Sequence, residues 1–217
     1  AAERFRQGSL RAVWYAGSPI PISVAQEAEK VMGSILNQQY GFTEAWGAHP
    51  AVSVTQLTAR WHNRKVGSCG RALIGSVVRV VDDQGNPVGA GELGEIVVKS
   101  EGLVGGYWNK SDETAGAYRA GWIHSGDIGY FDEDGFLYIK DRKDDMIISG
   151  GLNIYPTEVE NVLSEHPAVY QCAVVGIPDP KWVEVPCAVV VRSSATLVVS
   201  EDELIEFVRG RLAHYKA

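Results

Sequence analysis

The sequence predicts an α/β segment, then a β-barrel-like or bent antiparallel section, then a small α+β domain. Three observations carry this. A strand-helix-strand pattern fills the early part of the chain, β-branched runs broken by Gly, Asn and Asp dominate from about residue 66, and helices alternating with strands follow a dense charge run that begins at Lys140. The expected divisions are residues 1–65, 66–140, a short connection at 141–145, and 146–217.

Residues 11–16 (RAVWYA) read as a strand, and the turn Gly17-Ser18-Pro19 leads into a helix. Ser23-Val24-Ala25-Gln26 fits a capping box for that helix, Ala28, Val31 and Met32 form its apolar side, and Gly33 ends it. A second apolar stretch runs to Tyr40-Gly41. Ligands of strand-helix-strand units gather where strands end, so Tyr40-Gly41-Phe42-Thr43-Glu44 is well placed for a site.

Beyond residue 66, SVVRVVD, GEIVVKS and GYFDEDGFLYI read as hairpin strands. The segments Asp82–Pro87 and Asp132–Gly135 supply turn residues. After Lys140-Asp141-Arg142-Lys143-Asp144-Asp145, a helix is expected over 156–165, with Glu160 in the capping-box position and Val159, Val162 and Leu163 on one face. Strands follow near 168–175 and 187–192. A last helix opens on the capping box Ser200–Glu203 and buries Leu204, Val208 and Leu212.

Composition narrows the function classes. The chain has 217 residues, 45% of them hydrophobic and 22% charged, which is enough for a real core and unlike a disordered chain. Its formal net charge of -7 disfavours a general nucleic-acid or anionic-membrane binder. Cys69, Cys172 and Cys187 are far apart and form no CxxC pair, so neither a zinc site nor a disulfide framework is expected. No apolar run approaches the roughly 18 residues of a membrane span, and AAERFRQGSL lacks a signal-peptide core. These features point to a cytoplasmic protein.

Each motif has a plain reading beside its functional one. Gly89–Gly94 matches GxGxxG, but the strand-like EIVVKS follows it where a dinucleotide site needs a helix, so turn glycines explain it. Asp132–Gly135 lacks the later Glu of a calcium loop and reads as a hairpin. In Tyr40–Glu44, Gly lets a backbone approach a flat base, Thr offers a hydroxyl to phosphate, and Glu is a hard Mg²⁺ ligand; a Thr-Glu helix cap would explain the same residues. In Gly121–Asp127, Asp127 suits a carboxylate accepting ribose hydroxyls, or an Asx turn, and His124 reads as a packed histidine. The Gly150-Gly151 pair allows close passage of a ligand chain, or a simple strand-to-helix turn.

These pieces occur in one order: AGSP at 16–19, YGFTE at 40–44, GELGEI at 91–96, GWIHSGD at 121–127 and DRKDDMIISGGLNIYP at 141–156. That order closely resembles the AMP-forming adenylating enzymes: acyl-CoA synthetases, peptide-synthetase adenylation domains and luciferases. YIKDRKDDMIISGGLNIYP and VVGIPDPKWVEVP are most similar to bacterial fatty-acid and aryl-acid CoA ligases. The resemblance spans nearly the whole chain, from about Arg11 to Lys216.

The resemblance implies the end of a large N-terminal α/β and β-barrel domain, a hinge at 141–145, and a small, incomplete C-terminal α+β domain. It also implies a two-step reaction. A carboxylic acid attacks the α-phosphate of ATP to give acyl-AMP and pyrophosphate, and coenzyme A then captures the acyl group. Thr43 and Glu44 would contact phosphate and Mg²⁺, Gly17, Ser18, Pro19, Tyr40 and Gly41 would flank adenine, and Asp127 would hold the ribose with help from Arg142. Asp144 falls at the hinge, and Gly150 and Gly151 at the passage for the pantetheine arm. Leu152 replaces a residue that is often polar in the family. The family's Ser/Thr/Gly-rich phosphate loop and its catalytic lysine are expected outside residues 1–217, which makes this chain a fragment of its parent, inactive alone. Alternatives are an adenylation domain loading a carrier protein, and a non-catalytic nucleotide-binding or scaffold relic. Trp14, Ala45 and Trp46 lie near the expected acyl pocket, although core packing explains either indole equally well.

Overall fold

The computed structural model describes residues 9–18, 20–45, 53–194 and 199–217. It divides into two compact units, Ala1–Ile139 and Lys140–Ala217.

The first unit begins with the expected strand-helix-strand. β1 (Val13–Tyr15) pairs in parallel with β2 (Leu36–Gly41), and α1 (Ile22–Met32) connects them. Right after Pro21 the chain is already helical, and Ala25 N donates to the Pro21 carbonyl, so Ser23 lies inside α1 and the predicted Ser23–Gln26 capping box does not form. Pro21 keeps extended backbone at φ -55°, ψ 137°, which sets the start of the helix two residues earlier than the serine would. Gly33 ends α1 as expected, donating its N–H to the Glu29 carbonyl.

β2 continues antiparallel into β3 (Ser53–Leu57) and then β4 (Arg71–Ala72), giving a sheet in the order β1-β2-β3-β4. The one-turn α2 (Ala59–His62), which sequence patterning missed, is held to this sheet through side chains. His62 Nδ1 lies 2.8 Å from Glu29 Oε1 on α1, and Nε2 lies 2.7 Å from the Tyr15 hydroxyl on β1. Asn37 Oδ1 accepts from Ala59 N. A Glu-His-Tyr chain, with Glu29 and His62 buried and Tyr15 partly so, therefore ties three elements together where the periodicity of α1 predicted only apolar packing.

A second sheet holds β5 (Ser76–Val81), β6 (Gly94–Ser100), β8 (Trp122–Phe131) and β7 (Tyr118–Arg119) in that order, with β9 (Leu137–Arg142) on β8. The hairpin reading of 66–140 holds: Asp82 caps the first turn by accepting from Gln84 N and Asn86 N, and Asp132 accepts from Asp134 N and Phe136 N in the second. Gly94 opens a strand and no helix, as the rejection of GxGxxG required. Alternating Ile96, Val98, Val80, Ile123 and Leu137 join Tyr40, Ala45, Val54 and Cys69 in one buried core, so the two sheets share an interior. The short α3 (Ser111–Ala117) between β6 and β7 was not predicted.

In the second unit a hairpin of β10 (Ile147–Ser149) and β11 (Leu152–Ile154) precedes α4 (Pro156–Leu163). Strands β12 (Val169–Asp179) and β13 (Val183–Arg192) complete a sheet in the order β11-β10-β13-β12, and α5 (Glu201–Arg209) follows. Ile147, Ile154, Val159, Leu163, Val174 and Val208 form its core, with Val162, Leu204 and Leu212 packed against it, matching the predicted apolar faces. Ser200 caps α5 by accepting from Glu203 N at 3.2 Å, as expected. At α4 the expected box fails. Pro156 starts the helix with its fixed φ and missing N–H, and Glu160 instead accepts from Val174 N at 2.8 Å, tying the helix to the sheet. No helix among the described residues is long and apolar enough to cross a membrane.

Candidate active site

Two parallel strands end on the same edge. The parallel pairing ends at Tyr15↔Gln38; Gly17 and Ser18 follow in the bend just past β1, and Tyr40 and Gly41 end β2. Pro19 and Trp46 lie outside the described residues. Chain segments leaving parallel strands at such an edge form the usual place for a nucleotide.

Tyr40 is buried at the end of β2, and its hydroxyl donates to Asp127 Oδ2 at 2.6 Å. Burial first, and the Asp127 carboxylate second, push the phenol well above its ordinary range, so it remains a proton donor. Asp127 lies within β8, a strand where its sequence neighbours also allowed an Asx turn. Gly126, at φ 74°, makes the irregularity there, where the β6–β8 register shifts between Glu95 and Val97. Ser125 Oγ donates to the Ile96 carbonyl and accepts from Asp127 N at 3.1 Å, fixing the backbone that presents the carboxylate. His124 is packed, as expected, with Nδ1 3.2 Å from Glu95 Oε2.

Past Phe42 the chain winds into a single 3₁₀ turn, Thr43–Ala45. Ala45 is fully buried in the core, which assigns it to packing, while Trp14 on β1 is half exposed and therefore not a core residue. With Ala45 as anchor, Thr43 is exposed and Glu44 is half buried at the surface. Glu44 is clamped twice by the segment before α3: its carbonyl accepts from Val104 N at 3.0 Å, and its Oε1 accepts from the Tyr107 hydroxyl. That bond to Glu44, followed by burial, pushes the Tyr107 phenol up to about 12. Tyr118 donates to the Val104 carbonyl at 2.5 Å and steadies the same segment. An open depression of about 720 Å³ adjoins it, lined by Gly105, Gly106, Tyr107, Trp108, Thr114 and Tyr118. Sequence reasoning missed Tyr107; the signal available was the Gly-Gly-Tyr-Trp-Asn run before α3.

No group of three His, Cys, Asp or Glu side chains that could cage a metal occurs among the described residues. Mg²⁺ usually keeps its waters and is held by one or two carboxylates together with substrate phosphates. A lone Glu44 beside the Thr43 hydroxyl fits that chemistry and does not fit an all-protein cage. The three cysteines are free, and burial pushes the Cys69 thiol up to about 12, which makes it inert.

The remaining predicted residues belong to the second unit or its border. Arg142 ends β9, and Asp144 is exposed in the turn closed by Asp145 N donating to the Arg142 carbonyl. Their neighbour Asp141 is buried, and its two oxygens accept from Arg142 N and from Thr157 N in the first turn of α4. Gly150 and Gly151 form the two-residue turn of the β10–β11 hairpin, with φ of 56° and 83°. They do not lead from strand to helix. Gly150 N donates to the Trp182 carbonyl, and a methyl group at position 150 would lie 2.7 Å from Trp182 Cε3, so the indole rests on bare backbone.

Comparisons with known proteins bear on the family and the fold. Residues 1–108 match the model of the AMP-binding enzymes, and residues 158–217 match the AMP-binding enzyme C-terminal domain. The chain is 43% identical over 218 residues to a 2-succinylbenzoate–CoA ligase of Bacillus mycoides, covering 99% of this chain and 43% of that protein. It is 48% identical over 190 residues to the medium/long-chain-fatty-acid–CoA ligase FadD8 of Mycobacterium tuberculosis, covering 86% of this chain and 32% of that one. Among solved structures, the o-succinylbenzoate CoA synthetase of Bacillus subtilis in complex with its acyl-adenylate superposes with a TM-score of 0.88 at 36% identity, over 99% of this chain and 43% of that one. The amide bond synthetase McbA of Marinactinospora thermotolerans superposes with a TM-score of 0.85 at 38% identity, over 95% and 42%. The chain thus spans less than half the length of these relatives.

Proposed function

Because this chain belongs to the AMP-binding enzymes, we propose that the full protein it represents is an acid–CoA ligase. It would join a carboxylic acid to ATP as acyl-AMP, release pyrophosphate, and pass the acyl group to coenzyme A with loss of AMP. The observation that most supports this reading is the meeting of two predicted elements at one edge: Thr43-Glu44 leaves β2 beside the Tyr40–Asp127 hydrogen bond.

In this reading Asp127, held by Tyr40 and by Ser125, accepts the ribose hydroxyls, and Gly17, Ser18, Pro19 and Gly41 flank the adenine. Arg142 assists at the ribose. Thr43 donates to phosphate. Glu44 is the residue that would hold Mg²⁺, whose chemistry here is to offset charge on the phosphates as pyrophosphate departs. Asp144, exposed in its turn, serves as the hinge between half-reactions, and Gly150 and Gly151 admit the narrow pantetheine arm. A cytoplasmic setting belongs to the same proposal.

The test uses the full-length protein. Thr43→Ala and Glu44→Ala are each expected to lower ATP–pyrophosphate exchange by about 10²- to 10³-fold, the usual cost of losing one group that stabilises transition-state charge. Activity unchanged in both variants would remove the site assignment and favour a non-catalytic relic. The 217-residue polypeptide alone is expected to show no exchange above background. The likeness to an amide bond synthetase favours a second reading of the final step alone, with an amine as acceptor. Acyl-dependent AMP release measured separately with coenzyme A, an amine and a carrier protein separates these.

A further inference from the structure

We propose that Tyr107 is a positioning residue for Glu44, holding that carboxylate ready for the metal-nucleotide; this rests on the proposed function of Glu44. A surface glutamate has three side-chain torsions to freeze before it can serve as a ligand, and the freezing opposes binding unless something in the protein has already imposed it. Here the restraint is built from outside the 3₁₀ turn. The Tyr107 hydroxyl donates to Glu44 Oε1, and Val104 N donates to the Glu44 carbonyl, so side chain and backbone are gripped by one segment.

That segment is itself fixed at several points. Tyr107 N donates to Thr114 Oγ1, which in turn donates to the Lys110 carbonyl, tying the segment to the first turn of α3. Gly106 passes so close to Thr114 that a methyl group in its place would lie 2.5 Å from Cγ2. Tyr118, at the start of β7, donates to the Val104 carbonyl. Tyr107 therefore reaches Glu44 from a segment held at several points, and as a residue 39% exposed it contributes little to the core. The arrangement is that of a second-layer group orienting a ligand.

The full-length Tyr107→Phe variant keeps the ring and removes only the hydroxyl. Equilibrium binding of ATP, followed by titration calorimetry over a series of Mg²⁺ concentrations, is expected to need about 3- to 10-fold more Mg²⁺ than the parent protein. Binding of ATP without metal, KM for the acid and the melting temperature are expected to stay as they are. In a Glu44→Gln background, Tyr107→Phe is expected to add nothing, since both changes act on one interaction. An unchanged Mg²⁺ requirement in Tyr107→Phe, or additive losses in the double variant, overturns the proposal. If instead Glu44→Gln alone leaves the Mg²⁺ requirement untouched, the reading of Glu44 as the metal carboxylate fails first.

Discussion

Tyr40 and Asp127 stand 87 positions apart in sequence and are joined by a 2.6 Å hydrogen bond. The bond ties the end of the first sheet's β2 to the irregular middle of β8 in the second. A residue near the end of a strand thereby sets the carboxylate proposed to receive the ribose.

Removing that hydroxyl tests the link. In Tyr40→Phe a buried donor to a charged group is lost, which costs about 1.5–3 kcal/mol of stability. In the full-length protein KM for ATP is expected to rise with it, while KM for the acid stays constant. Urea unfolding and steady-state kinetics on the same variant check both.

The same phenol sets a pH dependence. Burial raises Tyr40 well above 10, Tyr15 to about 12 and the Cys69 thiol to about 12. Between the unfolded values, about 8.5 for Cys and 10 for Tyr, and these raised ones, the unfolded chain has released protons that the native chain still holds. Stability therefore falls as pH rises through this window and is fully present below it. Urea midpoints measured from pH 7 to 11 should decline above about pH 9, and less steeply in Tyr40→Phe.

Val183 has φ 74°, a left-handed conformation that a β-branched side chain adopts only under strain, at the point where the β12–β13 connection re-enters the sheet. Val183→Gly relieves about 1–2 kcal/mol of that strain and returns part of it through the looser unfolded chain. A net gain of about 1 kcal/mol is expected, read as a melting temperature higher by about 2–4 °C. A lower melting temperature would contradict this.

Gly150 and Gly151 should respond differently to alanine. Both hold positive φ, so each substitution costs about 1–2 kcal/mol from the backbone alone. At 150 the methyl also meets the Trp182 ring, whereas at 151 nothing lies within 4 Å. Gly150→Ala should therefore destabilise more and shift tryptophan fluorescence, while Gly151→Ala should leave the emission unchanged. Equal spectra for both would show that the indole does not rest on Gly150.

Local pattern was enough for much of this molecule. The spacing of Ala28, Val31 and Met32, the β-branched runs, the turn chemistry around Asp82 and Asp132, and the apolar stripe of α5 each express a preference that neighbours in sequence satisfy by themselves, and the ordered motifs identified the family. Local rules failed where a distant partner, or a neighbour with a stronger backbone preference, overrode them. Glu160 was spelled as a capping residue and serves β12 instead, Ser23 was overtaken by Pro21, and Asp127, whose neighbours also allowed an Asx turn, sits in a strand bent by Gly126. The contacts of Tyr40 with Asp127, Tyr107 with Glu44 and Trp182 with Gly150 come from tertiary structure alone. Sheet pairing and loop closure bring together residues between 32 and 87 positions apart, and no periodicity in a sequence reports a contact whose two halves lie in different repeats of the pattern.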